Sequence, residues 1–405
     1  MPSRAQAETQ LRMFWWGTQE RARRTFGVND LFMERNSGVS ITGETLSWGD
    51  YWPRLATQTA GRNIADIVQM DYRYIVEYAG RGALMPLDDY LGESLQITDF
   101  DAGAIDSCRV DGKLYGVNLG QNSTCSVFTR SLLEQAGVSL PGHETTWDTL
   151  GEWSLEVVDA VGRPNFWGVQ DGGGVEPAFN VWVRQRGREL YNQDGTIGFT
   201  EEDITDWFAY WADLREKGAV PRADVQALDR DAPESSMLAL NYAAMIFTNS
   251  NQLVAHQALN RNKLGMTMVP SGGEGAKPGQ YMKPSQMWSI AAGTQAPDVA
   301  VSVVNFFVTD PDAANILGVE RGVSPLPRVR EAIAPNLDEL DRAMLEYIDF
   351  IKDKVGPLPP VPPRAAGEID RLLIRVNQQV GFGQLSPSEA GKQFLAESTG
   401  ILERS

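Results

Sequence analysis

Three tryptophans fall at the predicted ends of strands or in the loops that follow them: Trp16, Trp48 and Trp288. A sugar presents one face of C–H groups and a rim of hydroxyls, so its site needs flat aromatic surfaces flanked by hydrogen-bonding side chains. Such side chains follow the first and third predicted strands as Gln19, Glu20 and Asp71. These are the residue types that a carbohydrate site needs. The alternative for any one of these tryptophans is packing in the core, and for Asp71 it is capping of the next helix.

The elements that would position these residues alternate between strands and helices. Residues 11–17, 39–47 and 64–71 have strand patterns, while residues 20–34 and 50–61 have helical ones. This βαβαβ order predicts right-handed crossovers and a parallel sheet. Ligands of such sheets bind beyond the carboxyl ends of the strands. We therefore expect Trp16, Trp48 and Asp71 at one edge, with Trp15 facing the core.

Length, composition and charge narrow the possible functions. The chain has 405 residues, 42% hydrophobic and 22% charged, which indicates a globular protein with two lobes. Its formal net charge of −17 disfavours nucleic acids and anionic membrane surfaces as partners, because those are bound through Lys and Arg. No window approaches the roughly 20 apolar residues of a membrane span.

Few residues have the spacing of a catalytic or metal site. His143 and His256 are the only histidines, and we expect both at the surface. Cys108 and Cys125 lack a metal-ligand pattern and allow one disulfide or none. Glu20 and Asp71 are the best carboxylate pair for a glycoside hydrolase, but such acids need a fixed separation in one rigid site. We expect no enzyme activity, no cofactor and no metal.

Several motifs occur in an order typical of one family. They lie at residues 64–71 and 82–90 (GALMPLDDY), 110–117 (VDGKLYGV), 127–138, 145–150 (TTWDTL), 237–253 and 287–317. Over residues 10–330 the chain resembles the extracellular solute-binding proteins of ABC transporters, in the carbohydrate-binding family that includes maltose-binding protein. It departs from the family pattern where Thr129, Arg130 and Ser131 replace Asn, Lys and Asp, and where Asn118 replaces a usual Pro.

This resemblance implies a periplasmic-binding-protein fold, with two α/β lobes around a hinged ligand cleft. The amino-terminal lobe would comprise residues 8–117 and 271–322, and the carboxyl-terminal lobe residues 118–270 and 323–405. A monomer would capture a sugar or oligosaccharide by lobe closure and deliver it to an ABC permease in the inner membrane. Delivery to a chemoreceptor is a further possibility that the resemblance leaves open. Ala5-Gln6-Ala7 has the A-x-A pattern of a signal-peptide cleavage site, which predicts a periplasmic protein; a small polar tail is the alternative.

The resemblance also adds candidate ligand contacts outside the first three strands. They lie just past the expected hinge, in a glycine-rich loop, in a loop where the family's Trp is replaced by an amide, and near the end of the matching region: Gln121, Asn122, Asp171, Gly173, Trp182, Asn249, Asn251 and Arg321. The glycine run lacks the Lys-Ser/Thr of a phosphate loop. Arg321 raises an alternative ligand, an acidic sugar held by its two-donor fork; a surface ion pair with Glu320 is the other interpretation.

The carboxyl-terminal third has a helical pattern. We expect one helix over residues 337–355 and two over residues 368–404, the last starting at Ser386-Pro387-Ser388-Glu389. The Pro-rich stretch of residues 356–364 between them predicts an extended spacer, with a PxxP ligand as the alternative.

Overall fold

A computed structural model describes residues 9–101 and 103–404, so Ala5-Gln6-Ala7 lies outside the described residues. The chain forms two compact units. Unit 1 comprises the described residues of Met1–Asn122 and Lys283–Leu345, and unit 2 those of Ser123–Met282 and Glu346–Ser405. The chain thus passes between the units after Asn122, Met282 and Leu345.

The third passage lies well beyond the expected one after residue 322. Residues 323–345 belong to unit 1, where Val323 forms two backbone hydrogen bonds with Gln121. Arg330 also binds both carboxylate oxygens of Asp101, at 2.6 and 3.1 Å. These contacts keep the segment in unit 1 until the helix that contains Leu345.

The elements are numbered in chain order. The strands are β1 Thr9–Trp16, β2 Val39–Leu46, β3 Ile67–Met70, β4 Arg109–Val110, β5 Lys113–Leu114, β6 Val117–Asn118, β7 Gln121–Phe128, β8 Trp167–Val169, β9 Ala243–Asn249, β10 Gly265–Thr267, β11 Met282–Pro284 and β12 Met287–Ile290. The α-helices are α1 Gln19–Arg35, α2 Trp48–Ala60, α3 Ile75–Gly80, α4 Arg130–Ala136, α5 Trp147–Val161, α6 Glu176–Gln185, α7 Glu201–Glu216, α8 Ala223–Gln226, α9 Leu253–Ala258, α10 Pro297–Thr309, α11 Pro311–Leu317, α12 Pro327–Ile333, α13 Glu339–Ile351, α14 Ala366–Gly381 and α15 Pro387–Glu403.

Unit 1 contains a five-stranded sheet in the order β2-β1-β3-β12-β6. β1 pairs in parallel with β2 and with β3, which confirms the predicted βαβαβ start. β12 runs antiparallel to β3 and β6. Because β1, β2 and β3 point the same way, their carboxyl ends lie at one edge of the sheet.

Side-chain caps set where the helices of this edge begin. The Thr18 hydroxyl accepts a hydrogen bond from the Arg21 N–H at the start of α1, and Ser47 does the same for Asp50 at the start of α2. Such caps satisfy backbone donors that a helix leaves unpaired. Both helices therefore start directly after the strands β1 and β2.

Unit 2 contains a sheet in the order β10-β7-β9-β8, with β8 and β9 parallel and the remaining pairs antiparallel. Its core is rich in aromatic rings; Trp147, Trp207 and Trp211 are buried and meet edge to face. α7 supplies Trp207 and Trp211, and a capping box between Thr200 and Asp203 fixes its first turn.

The carboxyl-terminal helices match the pattern of the sequence. α13, α14 and α15 form where three helices were expected, and Ser386 caps α15 through a capping box with Glu389, as predicted. The Pro-rich spacer contains no regular helix or strand. The buried Arg184 binds its start, donating to the Pro357 carbonyl at 2.6 Å. Among the described helices, none is long and apolar enough to cross a membrane.

Candidate functional site

An aromatic cluster forms at the carboxyl edge of β1 and β2 in unit 1. Trp16, the last residue of β1, meets Trp48 edge to face with ring centroids 5.0 Å apart. Trp52 lies one turn further along α2, 5.3 Å from Trp48, and stacks on Tyr74 at 3.7 Å. Trp16, Trp52 and Tyr74 are buried, whereas Trp48 is half-buried. Trp48 therefore presents an aromatic surface backed by rings that hold it in place.

Asp71 follows β3 at this edge and shapes the turn there. Its Oδ1 accepts a hydrogen bond from the Arg73 N–H at 2.9 Å, and its carbonyl accepts from Tyr74 and Ile75. The side chain is buried. Asp71 thus fixes the turn that presents Arg73, whose guanidinium carbon lies 6.0 Å from the Trp48 ring centroid.

Glu20 and Gln19 occupy the first turn of α1. Gln19 is exposed. Glu20 accepts hydrogen bonds from Arg23, at 2.6 and 2.8 Å, and from Arg24, at 2.7 Å. Arg23 and then Arg24 lower the pKa of Glu20 to about 2. A carboxylate held ionised in this way cannot serve as the general acid of a glycoside hydrolase, which needs a raised pKa.

Trp288 is a core residue, which corrects its assignment to the ligand site. It lies within β12, between β3 and β6, and is fully buried. Its ring meets Phe307 at 5.6 Å, and the guanidinium carbon of Arg321 lies 4.9 Å from the ring centroid. A residue enclosed on a central strand has no surface for a ligand.

Arg321 is also buried in unit 1, so it is neither the expected fork for an acidic sugar nor a surface ion pair. Its Nη1 donates to Gln69 Oε1, and its Nη2 donates to Thr25 Oγ1 at 2.7 Å. Burial and the neighbouring Arg21 lower the pKa of Arg321 to about 9. Glu320 pairs instead with Arg21, at 2.8 Å.

The glycine-rich loop of unit 2 packs against protein. A Cβ on Gly173 would overlap the side-chain oxygen of Asn377, on α14. Asp171 is buried beneath this loop, where it forms an ion pair with Arg215 and accepts from the Gly173 N–H at 2.9 Å. The expected ligand contacts Asp171 and Gly173 are therefore used to join the loop to α7 and α14.

Trp182 is likewise part of the core of unit 2. It is buried on α6, where its ring meets Trp147 at 5.6 Å and Trp207 at 5.3 Å. Arg186 covers the ring at 3.5 Å from the centroid. This enclosure corrects the expectation that Trp182 offers a stacking surface.

The amide candidates lie on or beside two neighbouring strands. Asn249 ends β9, and its buried Oδ1 has no hydrogen-bond partner among the described residues. Asn251 follows and is buried. Gln121 and Asn122 begin β7; Gln121 is half-buried and Asn122 is buried. An acceptor without a partner is the kind of group that a ligand hydroxyl satisfies.

Neither the histidines nor the cysteines build a reactive site. His143 is exposed as expected, but the expectation for His256 was wrong: it is buried, and burial lowers its pKa to about 4. Cys108 and Cys125 are buried free thiols. Across residues 9–101 and 103–404, no group of three or more His, Cys, Asp or Glu could hold a metal ion.

Sequence reasoning missed most of the aromatic cluster. Trp52 follows Trp48 by four residues, a spacing that places both on one helical face. Tyr78, whose ring centroid lies 6.2 Å from that of Trp52, follows Tyr74 by the same spacing. That spacing was the available signal. No comparable signal in the sequence indicated Arg73, because its position beside Trp48 depends on the turn at Asp71.

The chain matches the family of bacterial extracellular solute-binding proteins over residues 17–314, well over half of its length. It belongs to this family. Because the match covers β2 and β3 of unit 1 and β8–β10 of unit 2, the family assignment applies to both units.

Solved solute-binding proteins share the fold. A family 1 extracellular solute-binding protein from Alicyclobacillus acidocaldarius is 28% identical, with a TM-score of 0.70 and coverage of 99% of this chain and 100% of that one. An oligogalacturonide-binding protein from Yersinia enterocolitica, solved with saturated digalacturonic acid, is 19% identical with a TM-score of 0.87, covering 98% and 99%. The acarbose-binding GacH receptor of Streptomyces glaucescens is 17% identical with a TM-score of 0.79, at the same coverage. The fold is the periplasmic-binding-protein fold, as expected.

Curated relatives match over a shorter region. Binding proteins from Brucella abortus and Brucella suis are 24% identical over 262 residues, which are 62% of this chain. The match spans 60% of the length of those relatives.

Proposed function

We propose that this chain is the substrate-binding component of an ABC importer, that it binds a sugar or oligosaccharide in the periplasm, and that the two units close on the ligand. The observation that carries the proposal is the half-buried ring of Trp48, held at the carboxyl edge of β1 and β2 by Trp16 and Trp52. Such a ring offers the C–H face of a sugar a flat partner whose position is already fixed. Family membership supports the role.

The polar part of the proposed site is smaller than the sequence suggested. In unit 1 it comprises Gln19, Gln121 and Asn122, with Asp71 shaping the turn that presents Arg73. In unit 2 it comprises Asn249, whose Oδ1 is without a partner among the described residues, and Asn251. Amides donate and accept at once, which suits sugar hydroxyls. No residue in this set is proposed to act as a catalyst.

An acidic sugar is the second candidate ligand, and Arg73 is the residue that favours it. Its guanidinium carbon lies 6.0 Å from the Trp48 ring centroid, so one residue would contact the sugar face while the other reaches a carboxylate. An arginine fork binds a carboxylate with two parallel hydrogen bonds. The Yersinia protein of the same fold was solved with digalacturonic acid, which makes uronate oligomers the first acidic ligands to test.

A thermal-shift screen over neutral and acidic mono- and oligosaccharides, followed by calorimetry on the best ligand, tests the proposal. A ligand that binds only the folded state raises the melting temperature. Trp48→Ala should weaken binding by about 1–3 kcal/mol, as expected for a flat ring removed from a pocket. Trp153→Ala is the matched control, because Trp153 is also half-buried but belongs to α5 and packs against the core of unit 2. Equal affinity in Trp48→Ala, Trp153→Ala and wild type would contradict the assignment of the site.

The acidic arm of the screen uses Arg73→Gln and Arg73→Lys with a uronate oligomer and its neutral counterpart. If the ligand is acidic, both variants should lose affinity for the uronate, because an ammonium lacks the two-donor fork. Tighter binding of the neutral sugar, independent of residue 73, would exclude the acidic candidate. Sugar converted to product in proportion to the protein added would contradict a binding role altogether.

A further inference from the structure

A groove lined by three arginines and two glutamates runs between α14 and α15, the last two helices of unit 2. Its cavity has a volume of about 650 Å³ and is open to solvent along the helices. Arg371 and Arg375 line it from α14, and Arg404 lines it from the end of α15. Arg371 and Arg375 are four residues apart, a spacing that places them one above the other on the same helical face.

Two of these three arginines have no acidic partner among residues 9–101 and 103–404. Arg375 forms an ion pair with Glu397 across the groove. The side chains of Arg371 and Arg404 make no hydrogen bond or ion pair with any residue of the described chain. Their position is unusual, because the sequence holds 53 acidic residues against 36 Lys and Arg and carries a net charge of −17. Acids are abundant, yet none within the described residues neutralises this pair.

The shape and chemistry of the groove restrict its occupant. Its walls are the sides of helices, whose backbone N–H groups are used within the helix, so the donors available to an anion are side-chain guanidiniums. A site for a small phosphate normally adds backbone donors. A flat layer of anionic lipid would meet Glu368 and Glu397 at the same groove, together with the negative charge of the whole chain. A narrow acidic segment of protein can instead place its carboxylates at Arg371 and Arg404, the lining arginines without a partner among the described residues.

We propose that this groove binds an acidic segment of a protein partner. Carboxylates of the segment pair with Arg371 and Arg404, and a small apolar residue between them contacts the apolar part of the lining at Leu372 and Ile401. Guanidinium forks suit carboxylates, and arginine is enriched where proteins meet. The inference is independent of the proposed sugar site, which lies on other elements.

A labelled peptide of alternating glutamate and leucine, titrated with the full-length protein, tests this. Arg371→Glu and Arg404→Glu should each weaken peptide binding about fivefold or more, and the double variant by more than about tenfold, because attraction becomes repulsion. Arg261→Glu is the matched control, since Arg261 is exposed in unit 2 and does not line the groove. Its affinity for the peptide should remain that of the wild type.

Further arms separate the alternatives. Binding should fall as salt rises, because exposed charges are screened within about 8 Å at physiological ionic strength. Inorganic phosphate should not displace the peptide at comparable concentration, and vesicles rich in phosphatidylserine should not bind the protein. Peptide affinity unchanged by both glutamate substitutions, displacement by dilute phosphate, or vesicle binding that requires Arg371 and Arg404 would each overturn the proposal.

Discussion

Trp288 and Trp48 should respond differently to truncation, because Trp288 lies in the core and Trp48 at the proposed site. Trp288 is fully buried on β12, and its ring contacts Phe307 and the guanidinium of Arg321. Replacing such a ring with alanine costs about 3–5 kcal/mol of folding free energy, since it leaves a cavity that neighbours fill only in part. Here the buried Arg321 would also lose the aromatic face beside it, worth up to about 2 kcal/mol for a desolvated pair.

Removing the Trp48 ring should cost less folding free energy than removing the Trp288 ring. It is half-buried, and its contacts with Trp16 and Trp52 are edge to face. Such contacts contribute about 0.5–1.5 kcal/mol beyond area burial, so Trp48→Ala should destabilise unit 1 by about 1–2 kcal/mol. The two variants should therefore differ by a few kcal/mol in stability, with the larger loss at Trp288.

Calorimetric melting of the two variants and wild type measures this difference. In a unit of this size a loss of about 4 kcal/mol lowers the melting temperature by about 8–16 °C. Trp288→Phe keeps a ring against Phe307 and should lose clearly less. The reasoning fails if Trp288→Ala melts like wild type. It fails most clearly if that stable variant also loses affinity for the sugar, as Trp48→Ala should.

Two further predictions follow from buried titratable groups. Burial lowers the pKa of His256 to about 4, below the usual value near 6.5, so protonation favours the unfolded chain. Stability should fall by about 3 kcal/mol as pH drops from about 6.5 to about 4, and His256→Leu should flatten that slope in urea melts at several pH values; an unchanged slope would contradict the assignment. Burial raises the pKa of Cys108 to about 12 and that of Cys125 as well, so neither thiol should react with a disulfide reagent near neutral pH until denaturant is added. Rapid reaction of one equivalent of thiol in the native protein would contradict this prediction.

The first three strands could be predicted because their chemistry is local. Strand patterns of the right length end at or next to Trp16, Leu46 and Met70, and each is followed by a turn or a cap that starts a helix. The hydrophobic period and the capping residues are both signals that depend only on residues close together in the sequence. The parallel order of β1, β2 and β3 then follows from connection rules, without knowledge of distant contacts.

The roles of Trp288 and Arg321 could not be predicted in the same way. β12 is enclosed because β6, from far earlier in the chain, pairs along one side of it and β3 along the other. Arg321 is buried because Gln69 and Thr25, from two different elements, accept its donors. Both facts depend on pairing between residues far apart in the chain. The local sequence pattern around a tryptophan or arginine is the same whether the side chain faces solvent or the core. The glycine at position 173 is a third case, since its close neighbour is Asn377, on α14.

Arg321 still bears on the proposed site, through Gln69. The Gln69 side chain accepts from Arg321 and donates to the Trp16 carbonyl at 3.2 Å, and Arg21 donates to the same carbonyl at 3.3 Å. The Tyr51 hydroxyl donates to the Gln69 carbonyl at 2.6 Å. These buried bonds fix the end of β1, from which Trp16 projects. A ring held in this way needs no ordering when a ligand arrives, and ordering of side chains is a main cost of binding. Through Gln69, the buried arginine therefore helps to hold in place the aromatic cluster of the proposed site.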